Sequence, residues 1–261
     1  MAGRSTLRVS RMTQIQQILA AGDAVTVAEL TEALGVSEAT VRRDLEALQE
    51  SGLVQRTHGG AVPVGAGVRE RPFPERSSVQ VAAKRAIAGE AAAMVRPGET
   101  VFIGGGSTTL RLAERLREMP LTVVTNSLPV ARELSRSARS HVIVIGGTLR
   151  PAELTMIGPR AVDAIRSYRA GLAFLGVPAL DSEHGFTADG DAEAATDAAF
   201  IGMAQRTVVL ADHSKLGRVS TTHVVPLSAI DTVVTDSGAS AAVLSELVAA
   251  GTQVVVAEVS P

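Results

Sequence analysis

Ser37-Glu-Ala-Thr-Val-Arg-Arg-Asp-Leu45, inside the longer stretch from Thr26 to Gly60, decides how the amino-terminal part of the chain folds. Ser37 suits a helix N-cap, because its hydroxyl can accept from an orphan amide of the first turn, and Val41, Leu45 and Leu48 then recur at i, i+4 and i+7. One face of that helix is buried. At about 100° per residue, Ala39, Arg42 and Arg43 turn away from the apolar stripe and Thr40 flanks it, so small residues and two guanidiniums face outward. A helix of this shape fits a groove of duplex DNA.

Upstream, Thr26 and Glu29 have the spacing of a capping box, and Val27, Leu30 and Leu34 form the apolar face of a short helix that ends at Gly35. Helix, tight turn, capped helix is the layout of a helix-turn-helix. Met12, Ile15, Ile18 and Leu19 predict an earlier helix that completes a three-helix core. Downstream, the run from Gly52 to Arg56 and then Ala61-Val62 predict a hairpin, or wing, whose tip carries Arg56 and His58.

Val27-Ala-Glu-Leu30, Leu34-Gly-Val-Ser37, Thr40-Val-Arg-Arg-Asp-Leu45 and Arg56-Thr-His-Gly-Gly-Ala61 together resemble the winged helix-turn-helix signature of the DeoR family of bacterial transcriptional regulators. Several separate blocks in the right order carry the resemblance. It implies DNA contact by Ser37, Ala39, Thr40, Arg42, Arg43, Arg56 and His58, with double-stranded operator DNA as the partner.

The 261 residues have room for two domains, and an apolar fraction of 46% suffices for buried cores. There is no cysteine, so disulfides and thiolate metal sites are excluded; no metal or cofactor is expected. The first residues lack the apolar core of a signal peptide and no later run is long enough to span a bilayer, which predicts a cytoplasmic protein. Charge gives DNA binding no support, since the net charge is −2 and residues 1–64 hold six arginines against seven carboxylates. Position must supply it. Arg42 and Arg43 lie at the front of the recognition helix, Glu46 and Glu50 at its rear, and Arg4, Arg8 and Arg11 are read as an N-terminal arm. On an isolated amphipathic helix the two arginines would be a solvated face paired with Glu38, Glu46 or Glu50; the surrounding helix-turn-helix spacing favours DNA.

Residues 1–64 are thus assigned to a DNA-binding domain, 65–80 to a linker broken by Pro72 and Pro74, and 81–261 to an α/β domain for effector binding and oligomerisation. Arg71, Phe73, Arg76 and Lys84 resemble the family's linker. Beyond it, apolar runs such as Thr100-Val-Phe-Ile103, Leu121-Thr-Val-Val-Thr125, His141-Val-Ile-Val-Ile145, Leu172-Ala-Phe-Leu175, Thr207-Val-Val-Leu-Ala211, Thr232-Val-Val-Thr235 and Gln253-Val-Val-Val-Ala257 alternate for the most part with helical segments. Uninterrupted apolar strands predict a mostly parallel sheet covered on both faces, with any ligand at the strands' carboxyl ends.

Those ends carry unusual residues. Gly104-Gly-Gly-Ser-Thr-Thr109 opens into a helix, and its glycines, hydroxyls and amides suit an anion such as phosphate, although a tight capped turn has the same composition. No Gly-Lys-Ser/Thr follows, which excludes a Walker loop, and the spacing does not match a dinucleotide fingerprint. Asn126-Ser127, Gly146-Gly147 and Asp212-His-Ser-Lys215 follow other strands. A carboxylate, an amide, hydroxyls and a lysine around a glycine cradle suit a phosphorylated polyol.

Gly106-Ser-Thr-Thr109, Val123-Val-Thr-Asn-Ser127, Ile145-Gly-Gly147, Gly185-Phe-Thr187, Glu193-Ala194 and Val209-Leu-Ala-Asp-His-Ser-Lys215 resemble the same family's effector domain, which is similar in fold to ribose-5-phosphate isomerase and binds a sugar phosphate. The resemblance implies an effector site of Gly106, Ser107, Thr108, Thr109, Asn126, Ser127, Gly146, Gly147, Glu193, Asp212 and Lys215. The chain departs from the family at Gly104 and Gly171, where aspartates are usual, and at Asp197, where lysine is usual. The alternative is an isomerase-like enzyme fused to a DNA-binding domain. The isomerase's acidic Asp-Gly-Ala-Asp-Glu run is absent and Gly176-Val-Pro-Ala-Leu-Asp181 stands in its place, so no catalytic residue is assigned. A dimer or tetramer is expected, because paired half-sites double the few base contacts of one winged helix.

Overall fold

Thr26 caps its helix as its spacing to Glu29 predicts. Its hydroxyl accepts from the Glu29 amide at 3.1 Å while its own amide donates to the Glu29 carboxylate at 2.8 Å, which completes the capping box. The structure, a computed structural model, describes residues 11–19, 25–50, 54–57, 60–63 and 72–259, and the chain divides between Glu70 and Arg71 into two units.

In the first unit, a helix over residues 11–19 (α1) is followed by strand Val25–Thr26 (β1), helix Val27–Leu34 (α2) and helix Glu38–Glu50 (α3). Gly35 ends α2 at φ 61°, a left-handed value that glycine adopts freely, and its amide donates to the Thr31 carbonyl. The start of α3 differs in one detail from expectation: the Ser37 hydroxyl lies 2.9 Å from the Thr40 hydroxyl, where a first-turn amide was predicted. Ile15, Leu19, Leu30, Val41, Leu45 and Leu48 are each at most 1% exposed and share one core with Val54 and Ala61 of the wing.

The wing pairs Val54–Thr57 (β2) with Gly60–Pro63 (β3), antiparallel, and β1 joins the other side of β3 to give the order β1-β3-β2. That third strand has no signal of its own because it is two residues long and one of them, Thr26, is the cap of α2. Gly60 makes the pairing possible, since a Cβ there would lie 2.0 Å from the Val25 carbonyl oxygen. Arg56 stands on β2 opposite Ala61. His58, Arg4, Arg8 and Arg71 lie outside the described residues.

Arg11 is not part of an arm. It belongs to α1, and its Nε donates to Asp44 Oδ2 at 2.5 Å, with the two side chains 19% and 2% exposed. Asp44 sits within the Val41, Leu45, Leu48 stripe, and a carboxylate buried there requires a partner. Its hydrogen bond raises the Arg11 pKa further above the usual arginine value. Asp44→Asn is expected to destabilise the first unit by about 1–3 kcal/mol, the range for removing a charged hydrogen-bond partner at a partly screened site. Urea titration of the full chain checks this, and an unchanged midpoint for that unit's transition contradicts the pairing.

The second unit opens with helices Phe73–Arg76 (α4) and Val81–Ala92 (α5), then strand Thr100–Ile103 (β4), helix Ser107–Leu116 (α6), strand Thr122–Thr125 (β5), helix Leu128–Leu134 (α7) and strand His141–Val144 (β6). Strands Thr148–Arg150 (β7) and Thr155–Ile157 (β8) precede helix Pro159–Arg166 (α8), strand Ala170–Gly176 (β9), and strands Ala179–Asp181 (β10) and Gly185–Ala188 (β11). Helix Asp191–Met203 (α9), strand Ala204–Leu210 (β12), strand Thr222–Val225 (β13), strand Thr232–Asp236 (β14), helix Ala241–Ala249 (α10) and strand Gln253–Ala257 (β15) complete it.

The main sheet runs β15-β14-β12-β9-β4-β5-β6, and every neighbouring pair in it is parallel. The central residues of its strands are apolar because both faces are covered there. Val101, Ile103, Val123, Leu172, Phe174, Val208 and Val234 pack with α5, α6 and α7, while Phe102, Val124, Ala173, Leu175, Val209 and Val233 pack with α8, α9 and α10. Two smaller antiparallel sheets, the hairpin β7-β8 and the order β10-β11-β13, were not predicted. Among the described residues, no helix is long and apolar enough to cross a membrane.

Candidate effector site and nucleic-acid interface

On α3 the stripe Val41, Leu45, Leu48 is buried, while Ala39, Arg42 and Arg43 are exposed and Thr40 is half-buried beside Ser37. Arg42 Nη2 lies 3.4 Å from Glu38 Oε2, with side chains 52% and 59% exposed. So open a pair is screened by water and leaves the guanidinium free to turn toward a phosphate or a base edge.

The strand order reverses between β4 and β9: β5 and β6 follow on one side of β4, and β12, β14 and β15 follow on the far side of β9. Loops leaving neighbouring strands there run to opposite faces, and in open α/β sheets such a point is where a ligand crevice forms at the carboxyl edge. Gly104–Thr109 leaves β4 at that point and Gly176 ends β9; a Cβ on Gly176 would lie 3.1 Å from the Gly105 carbonyl oxygen and 3.6 Å from Gly106 Cα. Gly106 is the N-cap of α6 at φ 135° and no side chain caps the helix, so the first-turn amides of Ser107, Thr108 and Thr109 have no intrahelical partner. All three side chains are buried, and the Thr109 hydroxyl donates to the Gly106 carbonyl at 3.0 Å. The first turn of α6 thus presents unpaired amide donors at a helix amino end.

Asn126, at the end of neighbouring β5, is 3% exposed. Its Nδ2 donates to the Met156 carbonyl at 2.9 Å, while its Oδ1 is buried with no hydrogen-bond partner among the described residues. Ser127 caps α7 through the Val130 amide at 3.4 Å and bridges to Thr155 of β8. Thr155 in turn reaches the cradle, for a Cβ on Gly105 would lie 2.3 Å from its Cγ2. The unpredicted hairpin therefore lies across the ends of β4 and β5.

The remaining predicted residues have structural partners. Gly147, at φ 156°, starts the hairpin, and a Cβ there would lie 2.9 Å from the Ile157 carbonyl oxygen; Gly146 is exposed beside it. Glu193, in the first turn of α9, pairs with Arg150 of β7, and Arg150 also lies 3.8 Å from Asp189. Burial opposes the charge on Arg150, yet Glu193 and Glu153 outweigh it and raise its pKa. Asp212 is 2% exposed and accepts from the Ser214 amide at 3.1 Å and the Ser214 hydroxyl at 2.5 Å, so it caps the turn that carries half-buried Lys215. Leu210, two residues before Asp212, is in register with Gly176, which places this turn at the same sheet edge.

The departures at Gly104 and Gly171 acquire a geometry. A Cβ at Gly104 would meet Leu175 Cδ2 at 2.6 Å, so Leu175 fills the space a larger residue would need. Gly171 stands near the amino end of β9, about 17 Å of extended strand from Gly176, and does not line the crevice. Asp197 is on α9, one turn beyond Glu193.

His213 and Asp236 form a pair that the sequence did not signal. The His213 amide donates to Asp236 Oδ1 and its Nδ1 lies 2.7 Å from Oδ2, both at the carboxyl ends of neighbouring strands β12 and β14. The hydrogen bond to Asp236 raises the His213 pKa above its ordinary value; burial pushes Asp236 up, but the bonds from His213 outweigh it and hold that carboxyl low. The stabilisation from His213 is complete below its unfolded pKa of about 6.5 and is lost as pH rises through the higher folded value, while that from Asp236 is complete above about 3.9 and is lost as pH falls through its lowered one. The pair is therefore at full strength between about pH 4 and 6.5. NMR titration of His213 is expected to give a midpoint above about 6.5 that falls toward it in Asp236→Asn. A midpoint indifferent to that substitution contradicts the pairing.

A DeoR-like helix-turn-helix domain model matches residues 11–64 and a DeoR C terminal sensor domain model matches residues 79–237. The chain belongs to the DeoR family of transcriptional regulators. Among DeoR-family relatives, an HTH-type transcriptional regulator GlpR from Haloferax volcanii is 36% identical, covering 95% of this chain and 98% of its own. The glycerol-3-phosphate regulon repressor of Escherichia coli strain K12 is 33% identical over 85% and 88% of the two chains, and a putative aga operon transcriptional repressor of Escherichia coli O157:H7 is 31% identical over 97% and 95%. A solved ribose 5-phosphate isomerase A from Methanocaldococcus jannaschii overlaps 51% of this chain and 52% of its own at TM-score 0.38 and 18% identity, too remote a likeness to carry activity. As a DeoR-family member this chain is a DNA-binding transcriptional regulator with a helix-turn-helix and a sensor domain.

Proposed function

We propose that the protein is a cytoplasmic repressor of a carbohydrate-metabolism operon, released from or held on its operator by a phosphorylated sugar bound at the sheet edge. The observation that carries this is the pairing of chemistries at the switch point: uncapped amides on α6 for a phosphate, and beside them the partnerless Asn126 Oδ1, an acceptor that fits a sugar hydroxyl. Relatives named for a glycerol-3-phosphate regulon and an aga operon support the same effector class. Arg42 and Arg43, together with Ser37, Ala39, Thr40, Arg56 and His58, are assigned to the DNA contact; Ser107, Thr108, Thr109 and Asn126 hold the effector, with Asp212 and Lys215 at the same edge.

Catalysis is not part of this function. An aldose–ketose isomerase needs a general base within reach of the migrating proton, and the two candidate carboxylates already serve the fold, Glu193 with Arg150 and Asp212 with Ser214. Two copies or more place paired recognition helices on two half-sites. Coupling between the sites is reciprocal, so operator DNA alters effector affinity by the same factor that effector alters operator affinity. A gel-shift titration with the promoter beside the protein's own gene, repeated with glycerol 3-phosphate, fructose 6-phosphate and other phosphorylated sugars, tests all of this. Turnover of any of them, or an operator shift indifferent to all of them, refutes the proposal.

A further inference from the structure

The hairpin β7-β8 is tied at one end to the crevice and at the other to the segment that leads back into the DNA-binding unit. At the crevice end, the Met156 amide donates to the Asn126 carbonyl at 2.8 Å and its carbonyl accepts from Asn126 Nδ2, Ser127 bridges to Thr155, and Thr155 covers Gly105. At the turn end, the Ala152 carbonyl accepts from the Phe73 amide at 2.8 Å and the carboxylate of Glu153 pairs with Arg76. Glu153 is 5% exposed, Arg76 has 11% of its side chain exposed, and Phe73 is 7% exposed, so this junction is sealed from water. Phe73 and Arg76 are the ends of α4, and the unit to which α4 belongs begins at Arg71, next in sequence to the helix-turn-helix unit.

A second tie runs to the same segment from the cradle's own helix. Arg111, one turn from Ser107 on α6, donates to the Ser77 carbonyl at 3.2 Å, and buried Lys84 donates to the Arg76 and Val79 carbonyls at 2.6 and 2.7 Å. Both walls of the crevice therefore hold the segment from Phe73 to Val79.

We propose that the β7-β8 hairpin is the arm that transmits effector occupancy to the DNA-binding unit, with the Arg76–Glu153 pair as its grip on α4. This rests on the sugar-phosphate reading of the crevice. A sugar hydroxyl that donates to Asn126 Oδ1 engages the side chain that holds Met156 of β8, and a phosphate on the α6 amides sits beside Gly105, which Thr155 of β8 covers. Close packing of this kind resists continuous deformation, so a shift of the hairpin is passed to α4 instead of being absorbed. Arg76 and Glu153 touch neither ligand; they are positioning residues, and what they set is the coupling between two sites.

The test uses the full chain and three readouts: calorimetric affinity for glycerol 3-phosphate and fructose 6-phosphate, operator affinity without them, and the ratio of operator affinities with and without them. Allosteric couplings are about 5- to 150-fold in typical regulators. In the double variant Arg76→Gln/Glu153→Gln, which removes both charges of the pair together, the ratio is expected to fall toward 1 while both separate affinities stay within about twofold of the parent. Because the chain has no cysteine, Glu75→Cys carrying an environment-sensitive fluorophore reports on α4 directly. Its emission is expected to change on addition of the sugar phosphate and to stop responding once Arg76 and Glu153 are replaced. A double variant that keeps the parent's coupling ratio and fluorescence response overturns the transmission role alone. A parent protein that binds neither sugar phosphate, nor any other of the panel, overturns the effector reading and this role with it.

Discussion

Arg42→Ala/Arg43→Ala protein is expected to lose its sequence-specific operator shift while the sensor unit stays folded and still binds sugar phosphate. Both side chains are exposed on α3, and the residues behind them, Val41, Leu45 and Leu48, are at most 1% exposed, so truncating the arginines removes contacts to DNA without opening the core. A base-reading guanidinium contributes about 1–3 kcal/mol of discrimination, so losing two weakens binding by roughly 30-fold to 10⁴-fold. A phosphate-reading guanidinium acts differently: it weakens all sequences alike and lowers the slope of log K against log salt by about 0.9 per contact. Measuring single and double variants at several salt concentrations separates the two roles. The Glu38 partner does not change the expectation, because the pair is open to water and a phosphate competes for the same guanidinium. Retention of the specific shift in the double variant would remove α3 from the interface.

What could be seen in the sequence was local or periodic. The Thr26–Glu29 box, the Gly35 stop and the Val41, Leu45, Leu48 stripe are encoded within a few residues, and each occurs as expected. The main sheet was visible for a related reason: strands covered on both faces carry consecutive apolar residues through their centres, and Val101, Phe102 and Ile103 alternate between two cores rather than between core and water. What could not be seen depends on partners distant in the chain. Asp44 reads as one more surface carboxylate until Arg11 is set 33 residues away against it. His213 meets Asp236 only once β12 and β14 lie side by side. The hairpin consists of two three-residue strands between Gly147 and Gly158, with no alternation to announce it or the Arg150 it carries. The places of Ser107, Asn126 and Asp212 after β4, β5 and β12 follow from the strand runs, but the engagement of Glu193 and Asp212 by their neighbours does not, because a carboxylate's partner is a property of the fold.

Gly106→Ala is expected to produce a regulator that holds its operator and no longer answers its effector. Gly106 has φ 135°, a conformation that side-chain-bearing residues rarely adopt, and an added Cβ would lie 3.3 Å from Thr109 Oγ1 and 3.6 Å from Gly176 Cα. The strain, about 1–3 kcal/mol, is relieved most simply by rotating the peptide that leads into α6. That rotation redirects the amides of Ser107 and Thr108, the donors assigned to phosphate, and disturbs the bond from Thr109 to the Gly106 carbonyl. Converted at 1.4 kcal/mol per decade, affinity for the sugar phosphate falls on the order of 5- to 150-fold. Operator binding without effector stays at the parent value, because nothing on α3 is touched. Gly98→Ala is the matching control: Gly98 also has a positive φ, of 86°, but stands before the amino end of β4 with nothing within 4 Å of an added Cβ. It bears the backbone strain far from the crevice, so it should lower stability and leave the effector response alone. Calorimetry with the sugar phosphate, beside gel shifts at increasing concentrations of it, reads both variants. If Gly106→Ala protein answers at the parent's effector concentration, the first turn of α6 does not hold the phosphate, and the ligand must be sought elsewhere along the sheet edge.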